Sequence, residues 1–197
     1  SACLTSIHYS VYGTDFFGHI LESLWNHFTT HLITPSNQKD NEKGILNFVS
    51  YFTYLYLFES LSYQFIYSLI HHILSLDHLS FESKLQSILK ILKICAYKLR
   101  SDNSEKFKQV FCKIDELEKD TSSKVQFMME VINDYKVNKK SVIKPFDSSS
   151  PVHLLKKFIQ SLLKKQGNLT PSHPLQITIE DLNCSEQKGK WWIIGGV

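Results

Sequence analysis

Residues 80–100 read SFESKLQSILKILKICAYKLR. Leu85, Ile88, Leu89, Leu92, Cys95 and Leu99 recur there at intervals of three and four, which gathers side chains on one face of an α-helix. Lys84, Lys90, Lys93 and Lys98 take mostly other positions. Ser80 stands just before the periodic run and is a credible N-cap, since its side-chain oxygen can accept from an unpaired amide of the first turn. The spacing predicts one amphipathic helix from Ser80 to Arg100.

The same period extends in both directions. Toward the C-terminus, a helix from about Ser104 to Lys119 turns Phe107, Val110, Phe111, Ile114 and Leu117 inward. Thr121 caps the next, with Val125, Met128, Met129, Ile132 and Tyr135 as its stripe. Beyond a Ser141–Ser149 loop, Ser150-Pro151 pairs an N-cap with proline at the first helical position. Leu154, Leu155, Phe158, Ile159, Leu162 and Leu163 follow, and Gly167 ends that helix. Toward the N-terminus, helices are expected over Ser62–Leu76 and Ile45–Phe58. A polar loop is expected at Thr34–Lys43, preceded by a stripe from Phe16 to Phe28 capped by Thr14 or Asp15. Only Leu175–Ile179 alternates like a strand, and extended coil fits it equally well. The helices pair into units starting near Thr14, Ser62 and Ser104, close to the period of about 40–47 residues of HEAT-type repeats. The fold class expected is all-α, a HEAT-like helical-repeat solenoid.

The composition agrees. Seven glycines and five prolines in 197 residues are too few for a turn-rich β-sandwich. The formal net charge of +3 hides an uneven distribution. Residues 1–135 carry 12 bases and 15 acids, whereas residues 136–165 carry eight lysines and one acid. Arg100 is the single arginine.

The four cysteines, Cys3, Cys95, Cys112 and Cys184, form no CxxC pair. Cys95 and Cys112 are expected on apolar helix faces, as small hydrophobes in a reduced, intracellular chain. The opening Ser1-Ala2-Cys3-Leu4 lacks the charged start of a signal peptide. Glu59 is the only formal charge in residues 44–76, but the apolar runs either side of it fall short of the roughly 20 residues a spanning helix needs. Two buried helices are expected there, not a membrane hairpin.

Little catalytic chemistry is legible. No glycine-rich loop follows a strand, which removes the phosphate-binding and dinucleotide fingerprints, and GxSxG is missing. His27 and His31 share a helix face at i and i+4, but a metal needs a third ligand and no acid is obvious. His71 and His72 point to different faces. Asp115, Glu116, Glu118 and Asp120 close a helix beside Lys113 and Lys119, the pattern of a solvated face. No enzyme, cofactor, metal or small-molecule substrate is expected. The lysine stretch is the informative feature: Lys136, Lys139 and Lys140 end a helix, where cations suit the macrodipole. Lys144, Lys156, Lys157, Lys164 and Lys165 continue it, and such a patch can meet phosphates or an acidic protein surface.

Two segments carry a family resemblance. Lys124-Val125-Gln126-Phe127-Met128-Met129-Glu130-Val131-Ile132 resembles the basic-x-x-Phe-Met-x-Glu helix of the middle domain of translation initiation factor four-gamma, a HEAT-repeat solenoid. Ser185-Glu186-Gln187-x-Gly189-x-Trp191-Trp192-Ile193-Ile194-Gly195 resembles the double-tryptophan stretch of the nucleolar branch of that family. Leu99-Arg100-Ser101-Asp102 is similar to that branch's Leu-Arg-Lys-Asp turn, and Tyr54-Leu55-Tyr56-Leu57-Phe58 also matches its pattern. Two departures stand out: Lys124 occupies a position where arginine is usual, and Lys144-Pro145-Phe146-Asp147 keeps the proline–aromatic–aspartate idea with altered spacing.

The resemblance implies a middle domain over residues 1–165 lacking its first repeat, and an extended tail over 166–197 that continues it, within a longer scaffold protein. It implies a non-catalytic scaffold of the nucleus and nucleolus, acting in maturation of small-subunit (18S) ribosomal RNA. The implied partners are a DEAD-box RNA helicase of the initiation-factor-four-A type and pre-ribosomal RNA or particles, with no membrane. Lys136, Asn138, Lys139 and Lys140, with Lys144 more weakly, are the expected helicase contacts. Lys156, Lys157, Lys164 and Lys165 are the expected nucleic-acid contacts, and Trp191 and Trp192 are expected to fasten the tail. Two other readings stay open, a splicing scaffold of the same family and an RNA-binding repeat protein acting without a helicase.

Overall fold

A computed structural model describes residues 2–32, 38–117, 122–139, 151–165 and 173–184. Among them, eight α-helices succeed one another: α1 (Ala2–His27), α2 (Gln38–Leu57), α3 (Tyr63–Ser75), α4 (Phe81–Asp102), α5 (Ser104–Glu116), α6 (Ser123–Lys136), α7 (Pro151–Lys165) and α8 (Ile179–Asn183). A π-helical turn, Phe28–Leu32, closes α1. Ser80 caps α4 as its position requires, accepting from the Ser83 amide. Leu85, Ile88, Leu92, Cys95 and Leu99 are all buried.

The repeat spacing is written into the contacts. Ser83 Oγ donates to Glu42 Oε1 at 3.0 Å across 41 residues, and Tyr56 OH donates to Asp102 Oδ2 at 2.6 Å across 46. These two bonds, near opposite ends, lay α2 and α4 side by side in parallel. Lys124 reaches Glu82 across 42 residues, which starts α6 beside α4 in the same way. Lys113 of α5 meets His71 of α3, also 42 residues apart. Helices α2, α4 and α6 therefore form one layer, and α3 and α5 stack in another, as expected of paired helical repeats.

Between the layers lies one apolar core. An aromatic ladder begins it, with centroid separations of 5.4 Å for Trp25–Phe28, 4.1 Å for Phe28–Phe48, 4.5 Å for Phe48–Phe52 and 5.0 Å for Phe52–Phe65. The apolar run in residues 44–76 thus fills the core, and no helix of the described residues is long and apolar enough to cross a membrane.

Several expectations are corrected. Helix α1 starts at Ala2, well before Thr14. Gly13 (φ 78°, ψ −169°) breaks it into two helical segments, in backbone space nearly reserved for glycine. Helix α2 begins at Gln38 inside the expected Thr34–Lys43 loop, and Ser122, not Thr121, caps α6. Phe16 is exposed although its neighbour Phe17 is fully buried. Cys112 lies on the outer face of α5, while all four cysteines are free thiols. Lys84, expected off the apolar face, is buried: its Nζ donates to the Leu74 carbonyl at 2.9 Å, filling an acceptor at the end of α3.

The described part of the tail is built into the body. Leu175 forms a single parallel bridge with Leu61, flanked by Leu175 N–H to the Ser60 carbonyl (2.9 Å) and Ser62 N–H to the Leu175 carbonyl (3.2 Å). Thr178 and Asp181 then make a reciprocal capping box that starts α8. Tyr9 OH donates to the His173 carbonyl, Ile179 N–H to Ser68 Oγ, and Trp25 Nε1 to Asn183 Oδ1. Residues 173–184 thus bond to both α1 and α3, and Leu175, Ile177, Ile179 and Leu182 join the core. The strand-like alternation of Leu175–Ile179 becomes one bridge followed by a helix.

Candidate binding surface at the end of the sixth helix

Helix α6 carries the first stretch that resembles the family, and its burial divides that stretch. Val125, Met128, Ile132 and Tyr135 face inward, whereas Phe127 is 66% exposed. Lys124 is held by Glu82, whose carboxylate raises the lysine's pKa through the hydrogen bond and then through its charge. Sequence periodicity gave no role to Phe127. Its position between inward-facing residues, with no place in the apolar stripe, was the available signal.

The C-terminal end of α6 is built by Asn138. Its φ of 58° lies in the left-handed region, which asparagine tolerates better than most residues and which commonly terminates helices. Its N–H bonds the Tyr135 carbonyl at 3.2 Å, and the Lys139 N–H bonds that of Asp134 at 3.0 Å. Asn138 therefore shapes the turn that presents its neighbours. Lys136 pairs with Asp115 of α5 at 2.8 Å, and Lys139 with Asp134 at 3.1 Å. The Asp115 hydrogen bond, reinforced by its charge, pushes the Lys136 pKa up. Asp115, expected on a solvated face, is thus the acid that positions Lys136. Both pairs are exposed, and exposed pairs of this kind hold only about 0–1 kcal/mol, so a partner can exchange them readily.

Between α5 and α6 opens a cleft of about 460 Å3, with Phe111, Ile114, Met129 and Ile132 supplying apolar walls and Asp115 and Lys136 polar ones. A surface with an apolar centre and charged margin suits a protein partner. Lys140 and Lys144 lie outside the described residues, as do Lys144-Pro145-Phe146-Asp147, Glu118, Lys119, Asp120 and the Trp191-Trp192 pair.

Elsewhere, two other stretches that resemble the family meet directly. Asp102 accepts from Tyr56 OH and, at 2.9 Å, from Lys98 Nζ, whose ammonium lies 4.8 Å from the Tyr56 ring centroid. Burial first, then the Asp102 hydrogen bond and charge, drive the Tyr56 pKa far above its ordinary value, so the phenol stays a donor. These residues join the ends of α2 and α4 and are structural in their contacts.

The expected nucleic-acid lysines lie on α7. Lys156 is tied to Glu59 at 2.5 Å, while Lys157, Lys164 and Lys165 are exposed and form no ion pair with any described residue. The stripe expected there is only half used: Ile159 and Leu163 are buried, whereas Leu154, Leu155 and Phe158 are exposed.

His27 is exposed, and the His31 side chain lies outside the described residues. Among the described residues no three His, Cys, Asp or Glu side chains are placed to hold a metal. His71 and His72 are both half-buried, and burial holds both imidazoles below their ordinary pKa. For His71 the charge of Lys113 adds to that effect; for His72 the charge of Glu180 opposes it. The His72 ring packs edge-on against Trp25, and its Nε2 is buried with no hydrogen-bond partner among the described residues.

Comparison with known proteins agrees with this architecture. Suppressor of glycerol defect protein 1 of Schizosaccharomyces pombe is 32% identical over 206 residues, spanning 98% of this chain and 26% of that protein. Nucleolar MIF4G domain-containing protein 1 homolog of Drosophila melanogaster is 26% identical, spanning 93% and 21% respectively. Nucleolar MIF4G domain-containing protein 1 of Homo sapiens is 23% identical, spanning 98% and 22%. The chain thus spans only about a quarter of the first relative and less of the others. No solved structure matches significantly. The MIF4G domain model matches residues 1–139, most of the stacked helices described above, and the chain belongs to the MIF4G domain family.

Proposed function

We propose that this chain is a non-catalytic scaffold segment of a nucleolar protein that binds a DEAD-box RNA helicase of the initiation-factor-four-A type and supports small-subunit (18S) ribosomal RNA maturation. The observation that carries this reading is the match to the MIF4G domain together with relatives named as nucleolar MIF4G domain proteins. The end of α6 supports it physically, through Lys136, Asn138 and Lys139 beside the apolar cleft. Lys140 and Lys144 extend that surface in sequence.

Such a helicase has two lobes on a flexible linker. A rigid stack of helices that contacts both changes ATP turnover only to the extent that it binds one lobe arrangement better than the other. The test is a pull-down of recombinant helicases of this type with the chain carrying Lys136→Glu, Lys139→Glu and Lys140→Glu together. Loss of binding is expected, and unchanged binding would remove this surface from the account. A second reading, direct contact with RNA through α7, draws on Lys157, Lys164 and Lys165, which form no ion pair with a described residue. It expects steeply salt-dependent RNA binding in the absence of any helicase.

A further inference from the structure

Helix α7 uses only part of its apolar surface inward. Ile159 and Leu163, one turn apart, are buried, and Val152 packs partly against the core. Leu154 and Phe158, also one turn apart, are 56% and 52% exposed, and Leu155 is 40% exposed. At helical spacing these residues belong to one broad apolar arc, one side of which is turned to solvent. Lys156, at the other edge of the buried side, is tied to Glu59, which fixes how the helix is rotated.

The charge beside the exposed strip has one sign. Pro151–Lys165 contains four lysines and no acid. At helical spacing Lys157 and Lys164 fall beyond Leu154, on the side of the strip away from the buried residues, and Lys165 falls within the strip, in line with Leu154 and Phe158. None of the three forms an ion pair with a described residue. Of the ten large hydrophobic side chains exposed among the described residues, three fall within the five residues Leu154–Phe158. Concentrations of this kind mark interaction surfaces, whereas isolated exposed residues do not.

We infer that the outward face of α7 docks an acidic amphipathic helix of a partner protein. Leucines and one phenylalanine give an apolar seat that a phosphate backbone does not use, and single-stranded RNA sites rely on several stacking rings. Two copies of α7 face to face would oppose like charges. An acidic helix with an apolar stripe satisfies both features, its stripe on Leu154, Leu155 and Phe158 and its carboxylates on the lysines. This surface is separate from the end of α6.

The test uses the intact 197-residue chain and a labelled helical peptide of about 20 residues, with leucines on one face and glutamates on the others. Fluorescence anisotropy compares it with a peptide of identical composition in scrambled order, a single-stranded RNA and anionic vesicles. The patterned peptide is expected to bind best. The pair Leu154→Ser with Phe158→Ser, and separately Lys157, Lys164 and Lys165→Glu, should each weaken it by about tenfold or more, with melting temperatures unchanged. Lys136→Glu with Lys139→Glu should leave it intact, which separates this surface from the proposed helicase contact. Equal binding of the scrambled peptide, tighter binding of RNA or vesicles than of the patterned peptide, or indifference to the Leu154/Phe158 pair would each overturn the proposal.

Discussion

The lysines at the end of α6 and those on α7 belong to one run in the sequence, yet the fold treats them differently. Lys136 and Lys139 are each matched by an aspartate, Asp115 from α5 and Asp134 from α6 itself. On α7 only Lys156 is matched among the described residues, by Glu59, while Lys157, Lys164 and Lys165 are exposed on the helix that carries exposed leucines and phenylalanine. A charge count over residues 136–165 cannot separate these cases, because the acids that pair with these lysines, Asp115, Asp134 and Glu59, all lie outside that window. The α6 group is positioned and partly offset, and Lys157, Lys164 and Lys165 of α7 have no acid partner among the described residues and are bordered by apolar surface. The two are therefore expected to meet different partners.

The strongest way to break the comparison is to remove the support of one group alone. Ile132→Ala, on the buried face of α6, should cost about 2–5 kcal/mol as transfer and cavity losses add. Urea unfolding would measure it, and hydrogen exchange should show α6 loosened more than α7. Gly13→Ala acts at the opposite end. Nothing lies within 4 Å of the added methyl, so its cost is backbone strain, about 1–3 kcal/mol. Its effect on exchange should centre on α1 and the α7 packed against it.

Smaller effects sharpen the contrast. Removing the α6 cap with Ser122→Ala should cost about 0.5–2 kcal/mol. A double-mutant cycle on Lys136 and Asp115 should give a coupling of about 0.2–1 kcal/mol that fades with salt, while Lys157→Met on α7 should leave stability nearly unchanged. His72, on α3 against Trp25, gives a pH signature. Its folded pKa is depressed, so the unfolded chain takes up a proton first as pH falls. Stability should be fully present above the ordinary imidazole pKa near 6.5 and decline as pH falls toward the lowered folded value. Melting temperatures from pH 7.5 to 5 should show this, with a shallower slope in His72→Gln.

Much of the fold was legible because helical periodicity and caps are local. The cap and apolar face of residues 80–100 behaved as read, and the repeat spacing reappears as bonds between residues 41–46 apart. What escaped was set by distant chain. Lys84 is buried because an unpaired carbonyl of α3 waits for it, and Gly13 breaks α1 because its backbone, not its side chain, is specialised. The seventh stripe was legible as apolar, but which half would be covered depended on where α7 packs. At the candidate site, the lysine run singled out Lys136 and Lys139, and the family resemblance implied them and Asn138 as contacts. Asp115 as the partner of Lys136, and the cleft, required the packing of α5 against α6.

The central claim is that the end of α6, and not the lysine run as a whole, meets the helicase. Binding of a recombinant helicase of the initiation-factor-four-A type, measured side by side for two charge-reversed chains, tests it most directly. Reversal of Lys136, Lys139 and Lys140 should abolish binding, while reversal of Lys157, Lys164 and Lys165 should leave it intact. Equal loss in both, or loss only in the second, would contradict the account.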